Sequence, residues 1–270
     1  VWRRRKGSGN VPSLRDVERA IYQLAPEELA MEGDNVGLLL GRPEREVLRI
    51  LVALDVTEAV AEEAEKLGAN LIVAHHPVMN CVWSPVQTVR DDNPQGRLLL
   101  RLLEGGIAAI CMHTNLDRAE GGVNDALAAR LGLGRVEKLP GGDGVLRVGE
   151  LPEEMSLPAF LQWVKAAIAP NGIRFADGGR RIRRVAVGGG ACGGYLAAAA
   201  ENGCDAFVTS DLKYNQFLDA CAAGISVLDA GHFPTEDVVC PVLIEYLEEK
   251  FPGVPVTKSA SHTEAVQYYV

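Results

Sequence analysis

"EAVAEEAEKLGANLIVAHH" at 58–76 and "GYLAAAAENGCDAFVTSD" at 194–211 follow one plan: a helix-forming run, a glycine stop and an apolar strand. The segments that come next also match. "LLLRLLEGGIAAICMHTNLD" at 98–117 and "FLDACAAGISVLDAGHFPTE" at 217–236 both run helix, glycine, strand, then His-x-x-x-acid. A further helical stretch follows in each copy. This pattern is a diverged internal duplication. It pairs Gly68 with Gly203, His75-His76 with Ser210-Asp211, His113 with His232, and Asp117 with Glu236. Strands that alternate with helices at this spacing imply βαβ units. The expected fold class is α/β: two internally duplicated units with mostly parallel sheets and helices on the faces.

The remaining segments fit that plan. Ser13 is placed to cap a helix over "SLRDVERAIYQLAPEELA", and Thr57 caps the helix that stops at Gly68. "GDNVGLLLG" reads as a turn into a strand, and "VLRILVALDVT" as a buried strand. Residues 134–158 are rich in Gly and Pro and lack a helical period, so a boundary is expected near 135–145. The units are then 11–140 and 141–270. Residues 1–10, "VWRRRKGSGN", have no apolar region after their charges and are not a signal peptide. They read as a flexible extension or cloning remnant outside the fold. No apolar run approaches the ~20 residues of a membrane span. With 27 basic against 36 acidic residues the net charge is −9, which argues against general nucleic-acid binding. The six cysteines (81, 111, 192, 204, 221 and 240) form no CxxC pair, and several lie in apolar runs. A reducing cytoplasm is the expected compartment.

The chain has only five histidines, and four of them fall at the ends of three predicted strands. Pro234 disfavours a helical Phe233, so His113–Asp117 and His232–Glu236 read as strand-end loops. In an open parallel sheet such loops form the ligand crevice. In a regular strand His75 and His76 would point to opposite faces. At a strand end turned by Pro77 both can reach the crevice while diverging. Two ions, one per imidazole, fit that geometry better than one, and a carboxylate such as Glu236 can bridge them. Mixed imidazole and carboxylate donors suit Zn, Fe, Mn, Co or Ni rather than Ca or Mg. The fifth histidine, His262, lies in a polar tail and reads as solvated.

"DNVGLLLG", "ALDVT", "GANLIVAHHPV", "HTNLD…GGVNDALA", "TSDLKYNQFLDA" and "DAGHFPTE", in this order from residue 11 to about 250, resemble the dinuclear-metal family labelled GTP cyclohydrolase I type 2-like, also called NIF-three-like. The resemblance implies two intertwined α/β units and a ring-shaped homohexamer. It implies two divalent transition metal ions held by His75, His76, Asp117, His232 and Glu236, with Glu236 contacting both. His113 then falls behind the ligands or on the substrate side, and as an imidazole it is a candidate proton shuttle. The linker is too short for the extra domain that some members carry between the halves. Two segments depart from the family pattern: "NCVWSPVQTVRDDNP" after the paired histidines, at the expected site entrance, and the C-terminal "SHTEAVQYYV".

"VGGGACGGY" also fits G-x-G-x-x-G through Gly188, Gly190 and Gly193. Such a turn can cradle a phosphate on its amides, with Gly190, Gly193 and Lys213 as candidate anion contacts and Tyr214 beside them. It can equally be a tight turn with close helix packing. Three functions follow. The first is a dinuclear metal-dependent hydrolase, for which the family resemblance implies opening of the imidazole ring of GTP or action on a related phosphorylated metabolite. The second is a non-catalytic metal-binding chaperone or ring-shaped regulatory protein. The third is a nicotinamide-dependent oxidoreductase, ranked last because it leaves the histidines unexplained.

Overall fold

The computed structural model describes residues 11–79 and 86–269. Residues 1–10, Cys81 and the first part of the divergent 80–94 segment lie outside the described residues.

In chain order the elements are α1 (Leu14–Leu24), β1 (Gly37–Leu40), β2 (Ile50–Ala53), α2 (Glu58–Leu67), β3 (Leu71–Ala74), α3 (Pro94–Gly105), β4 (Ala108–Cys111), α4 (Thr114–Arg118), α5 (Val123–Arg130) and β5 (Gly134–Lys138). They continue with β6 (Arg147–Met155), α6 (Leu157–Ile168), β7 (Arg174–Ala176), β8 (Ile182–Val187), α7 (Leu196–Glu201), β9 (Ala206–Thr209), α8 (Tyr214–Ala223), β10 (Ser226–Asp229), α9 (His232–Glu236), α10 (Val239–Lys250) and β11 (Val256–Lys258). The predicted caps are present. The Ser13 side chain accepts from the Asp16 amide in a capping box, and Thr57 accepts from the Val60 amide. Gly68 ends α2 at φ 66°, a left-handed conformation that costs glycine little.

Two sheets form. The first runs β1-β4-β3-β2-β11, and the second β5-β6-β8-β9-β10-β7. In the first, only β1 is antiparallel to its neighbour. The second is mixed rather than mostly parallel. Parallel pairing is confined to β8, β9 and β10, while β5 with β6, β6 with β8 and β7 with β10 pair antiparallel. The Gly- and Pro-rich 134–158 stretch builds β5 and β6, which fold back on each other without a crossover helix.

The central strands read as unbroken apolar runs because both of their faces are buried. Successive side chains alternate between two cores. Ile50, Val52, Leu71 and Val73 face α1 and α10, while Leu51, Ile72 and Ala74 face α2 and α3. The second sheet does the same. Val185, Val187 and Val208 face α5 and α6, while Ala186 and Phe207 face α7 and α8.

The duplicated helices after the His-x-x-x-acid segments are exchanged. α5, from the first copy, packs Leu127 and Ala128 into the core of the second sheet. α10, from the second copy, packs Val239, Leu243 and Leu247 into the core of the first. Each then feeds a strand into the sheet it has joined, β5 beside β6 and β11 beside β2. A single cut near residue 140 therefore does not separate the units: β5 precedes the cut yet belongs to the second sheet, and α10 and β11 belong to the first. The composition change near 135–145 marks a local turn, and the helix exchange lies outside what composition reports. Cys111, Cys192, Cys204 and Cys240 are buried and unpaired, and they pack as small apolar residues. Among the described residues no helix is long and apolar enough to cross a membrane.

Candidate metal centre

The exchange brings the carboxyl ends of strands from both sheets face to face. β3 delivers His75 and His76, β4 leads to His113, and β10 leads to His232. The two imidazole rings of the pair can share a crevice because the strand has ended. The amides of His75 and His76 both donate to the Leu54 carbonyl, at 3.1 and 2.9 Å, so the backbone turns between them. Their ring centroids are 4.8 Å apart. His113 stands 5.5 Å from His75 and 5.7 Å from His76, and His232 lies 5.3 Å from His76.

The two His-x-x-x-acid segments are one-turn helices, not loops. His113 caps α4, and His232 is the first residue of α9. Pro234 is tolerated because it sits in the first turn, where its missing N–H has no helical partner to lose. The helical turn places each acid on the same face as its histidine. His232 Nε2 lies 3.0 Å from Glu236 Oε2.

Glu236 is the centre of the group. Its buried Oε2 stands 3.0 Å from Nε2 of both His76 and His232, and 3.7 Å from His75 Nε2. The two short contacts lack the alignment of hydrogen bonds, since Glu236 Oε2 has no hydrogen-bond partner among the described residues. His75 Nε2 is fully buried, 3.7 Å from Asp117 Oδ1, and neither atom has a hydrogen-bond partner among the described residues. Burying such atoms unsatisfied costs about 1–3 kcal/mol each. Atoms bound to one ion at about 2.0–2.3 Å stand roughly 3–4 Å from each other, which is the spacing found here. His75, His76 and Glu236 thus form a group able to hold a metal ion, with their ligand atoms within 4.8 Å of one another. The donor set fits a divalent transition metal.

Three of the histidines are held from behind by carboxylates that the sequence reading did not assign. His76 Nδ1 pairs with Asp55 at 2.7 Å, His113 Nδ1 with Asp34 at 2.9 Å, and His232 Nδ1 with Asp211 at 2.5 Å. This carboxylate–histidine arrangement fixes ring orientation at metal sites. The signals were present in the sequence. Asp55 follows a strand as the histidines do, and Asp211 occupies the position that matches the histidine pair in the duplication. Asp211 sits at φ 54°, a left-handed conformation uncommon for a residue with a Cβ.

The electrostatics follow from this packing. Burial opposes charge on His76, but the hydrogen bond to Asp55 and the adjacent Glu236 carboxylate outweigh it and hold the ring up to about 9. Burial opposes charge on His232 as well, and Asp211 with Glu236 holds that ring up to about 11. Burial pushes Asp117 up to about 6, with the Glu236 charge adding to the rise and His75 opposing it. Burial would also raise Glu236, yet the surrounding imidazoles hold it well below the ordinary carboxylate range.

The glycine-rich turn serves this centre from inside the protein. A Cβ on Gly190 would stand 2.0 Å from Glu236 Oε1, so only glycine lets the backbone pass. The Gly190 amide donates to Thr235 Oγ1 and the Gly189 amide to Asn124 Oδ1, so neither is available to cradle a phosphate. Gly193 packs against Leu212 and Gln216, the close-packing alternative. Asp211, the acid that a dinucleotide site would use, is engaged by His232. Lys213 is exposed at the start of α8, and Tyr214 is exposed beside it. His262 is not solvated: its side chain is 11 % exposed and its Nε2 lies 3.1 Å from Asp55 Oδ2.

The profile of the family described as Duf34/NIF3 (NGG1p interacting factor 3) matches residues 12–265. A Clostridium perfringens protein called GTP cyclohydrolase 1 type 2 homolog is 34 % identical over 242 residues, covering 87 % of this chain and 90 % of that protein. A Nostoc protein of the same name is 39 % identical over 208 residues, covering 75 % and 78 %. The crystal structure of a Bacillus cereus protein related to NIF3 superposes with a TM-score of 0.89 at 26 % identity, covering 97 % of this chain and all of the other.

Proposed function

Because the chain belongs to the Duf34/NIF3 family, we propose that it is a dinuclear metal-dependent hydrolase acting on GTP, by opening the imidazole ring of its purine, or on a related phosphorylated metabolite. The observation that carries the reading is the buried Glu236 oxygen shared between His76 and His232 at 3.0 Å. In this reading His75 and Asp117 would hold one ion and His76 and His232 the other, with Glu236 within reach of either pair. When bound, such a pair supplies Lewis acidity and a water ionised near neutral pH.

The protein's own groups supply the rest. Asp55 and Asp211 aim the His76 and His232 rings from behind. Asp34 accepts from the His113 ring, and its other oxygen accepts the Thr114 amide at 3.0 Å, so the His113 ring is fixed edge-on to His75 and His76. From there His113 passes a proton to the leaving nitrogen, in keeping with general acid catalysis by histidine. Lys213, two residues beyond Asp211, is the proposed contact for a substrate phosphate. The names of the Clostridium and Nostoc relatives support the purine nucleotide as substrate class.

The test is metal-dependent turnover of GTP by the purified protein, followed by the same assay on Glu236→Ala. Loss of both metal and turnover supports the reading, and retained turnover without metal rejects it. A metal-loaded protein that turns over nothing in a broad screen of phosphorylated metabolites leaves the ion-binding, non-catalytic function instead. We also propose a ring-shaped homohexamer, for which light scattering would give six times 28.9 kDa. The cytoplasm is the proposed compartment, which the buried, unpaired cysteines support.

A further inference from the structure

The segment after β11 crosses from one unit to the other. The Glu63 carboxylate on α2 accepts from Ser259 Oγ at 2.5 Å, the Ala260 amide at 2.9 Å and the Ser261 amide at 3.0 Å, which fixes the turn. The His262 amide closes it by donating to Ser259 Oγ at 3.2 Å. Farther on, the Val266 carbonyl accepts from Asn171 Nδ2 at 2.7 Å, in the second unit.

His262 sits where this strap passes the metal centre. Its Nε2 lies 3.1 Å from one oxygen of Asp55, whose other oxygen holds His76 Nδ1 at 2.7 Å. Its ring is edge-on to Phe233, with centroids 5.0 Å apart. Phe233 is the neighbour of His232 in α9. His262 Nδ1 is buried with no hydrogen-bond partner among the described residues. The ring therefore accepts one unsatisfied nitrogen while its other nitrogen is aimed at Asp55, and a residue kept only for packing would not need that arrangement. One side chain thus touches the support of His76 from the first unit and the helix of His232 from the second.

We propose that His262 is a positioning residue for the ion held by His76 and His232. It orients the Asp55 carboxylate and so the His76 ring, and it seats α9 through Phe233. The ion held by His75 and Asp117 shares only Glu236 with this support and depends on it less. The inference rests on the metal-binding part of the proposed function and not on the substrate.

The experiment is an optical titration of the full-length, metal-free chain with Co2+, with metal content measured after dialysis. Three variants are compared with the wild type. His262→Phe keeps the packing on Phe233 and removes the donor. His262→Gln restores an N–H at the place of Nε2. His262→Ala removes both. The expected result is a roughly 10–100-fold loss of affinity for one of two ions in the Phe and Ala variants, with the other ion weakened far less. His262→Gln recovers most of the loss. The inference is overturned if the Phe variant binds both ions as the wild type does, if both sites weaken equally, or if Gln fails to rescue while metal-free melting temperatures match. If Ala does not fold, the Phe and Gln pair decides the matter. A wild type that binds no Co2+ removes the metal reading itself, and this inference with it.

Discussion

His76 and His232 each stand between two carboxylates, and this sets how the centre responds to pH. An unfolded histidine titrates near about 6.5. The folded His76 is held up to about 9 and His232 to about 11 when no ion is present. Both rings are then protonated at neutral pH. Their contribution to the stability of the metal-free fold is fully present below about 6.5. It is lost as pH rises through the folded values. A bound ion reverses the preference, since it takes the unprotonated nitrogen. We expect the melting temperature of metal-free protein to fall between pH 7 and roughly pH 10, while metal affinity rises over the same range. Calorimetric titration in buffers of different ionisation enthalpy would show protons released on binding. An affinity that is flat with pH and releases no protons would exclude charged imidazoles in the metal-free site.

At the scale of the element, the glycine-rich turn after β8 and the one-turn helix α9 are fitted to each other. Gly190 has φ 64°, its carbonyl accepts the Ser210 amide at 2.9 Å, and a Cβ would collide with Glu236. Gly190→Ala should therefore expel the Glu236 carboxylate and cost roughly 1–3 kcal/mol in backbone strain. Metal content after dialysis should drop with it. A Gly190→Ala protein that retains wild-type metal content would show that the turn does not support Glu236. Asp211→Ala should instead leave the turn intact and weaken metal binding roughly 10–100-fold, as read by competition with a chromogenic chelator.

These two elements also show where the sequence was readable. The candidate ligand set stood out because four of five histidines fell at equivalent strand ends of a duplicated pattern. The supporting acids did not, because Asp34, Asp55 and Asp211 look like ordinary turn residues until the histidines they serve are placed. The short helices were misread because proline rules describe helix interiors, and α9 has no interior. G-x-G-x-x-G gave the right shape with the wrong partner: the backbone approaches a carboxylate of its own chain. His262 was misjudged from a polar neighbourhood that folds onto Asp55.

At the scale of the molecule, α4 and α9 are the points where each half of the chain crosses to the other. Asp117 and Glu236 come together because α5 and α10 are exchanged, and Asn124 on α5 ties the Asp117 carbonyl to the Gly189 amide across the two units. Neither sheet has a complete core from its own half. A fragment of residues 11–140 would expose Leu127 and Leu131 and lack Val239, Leu243 and Leu247 from its first-sheet core. It should show no cooperative melting, whereas the intact chain should unfold in one transition. The candidate metal centre spans the crossing point, so bound metal should raise that single transition without splitting it. At about 100 times Kd each ion adds about 2.7 kcal/mol, a rise of roughly 5–10 °C for a chain of this size. Differential scanning calorimetry with and without metal decides the point. Two transitions, with only one moved by metal, would mean that the halves are stable apart and that the exchange does not couple them.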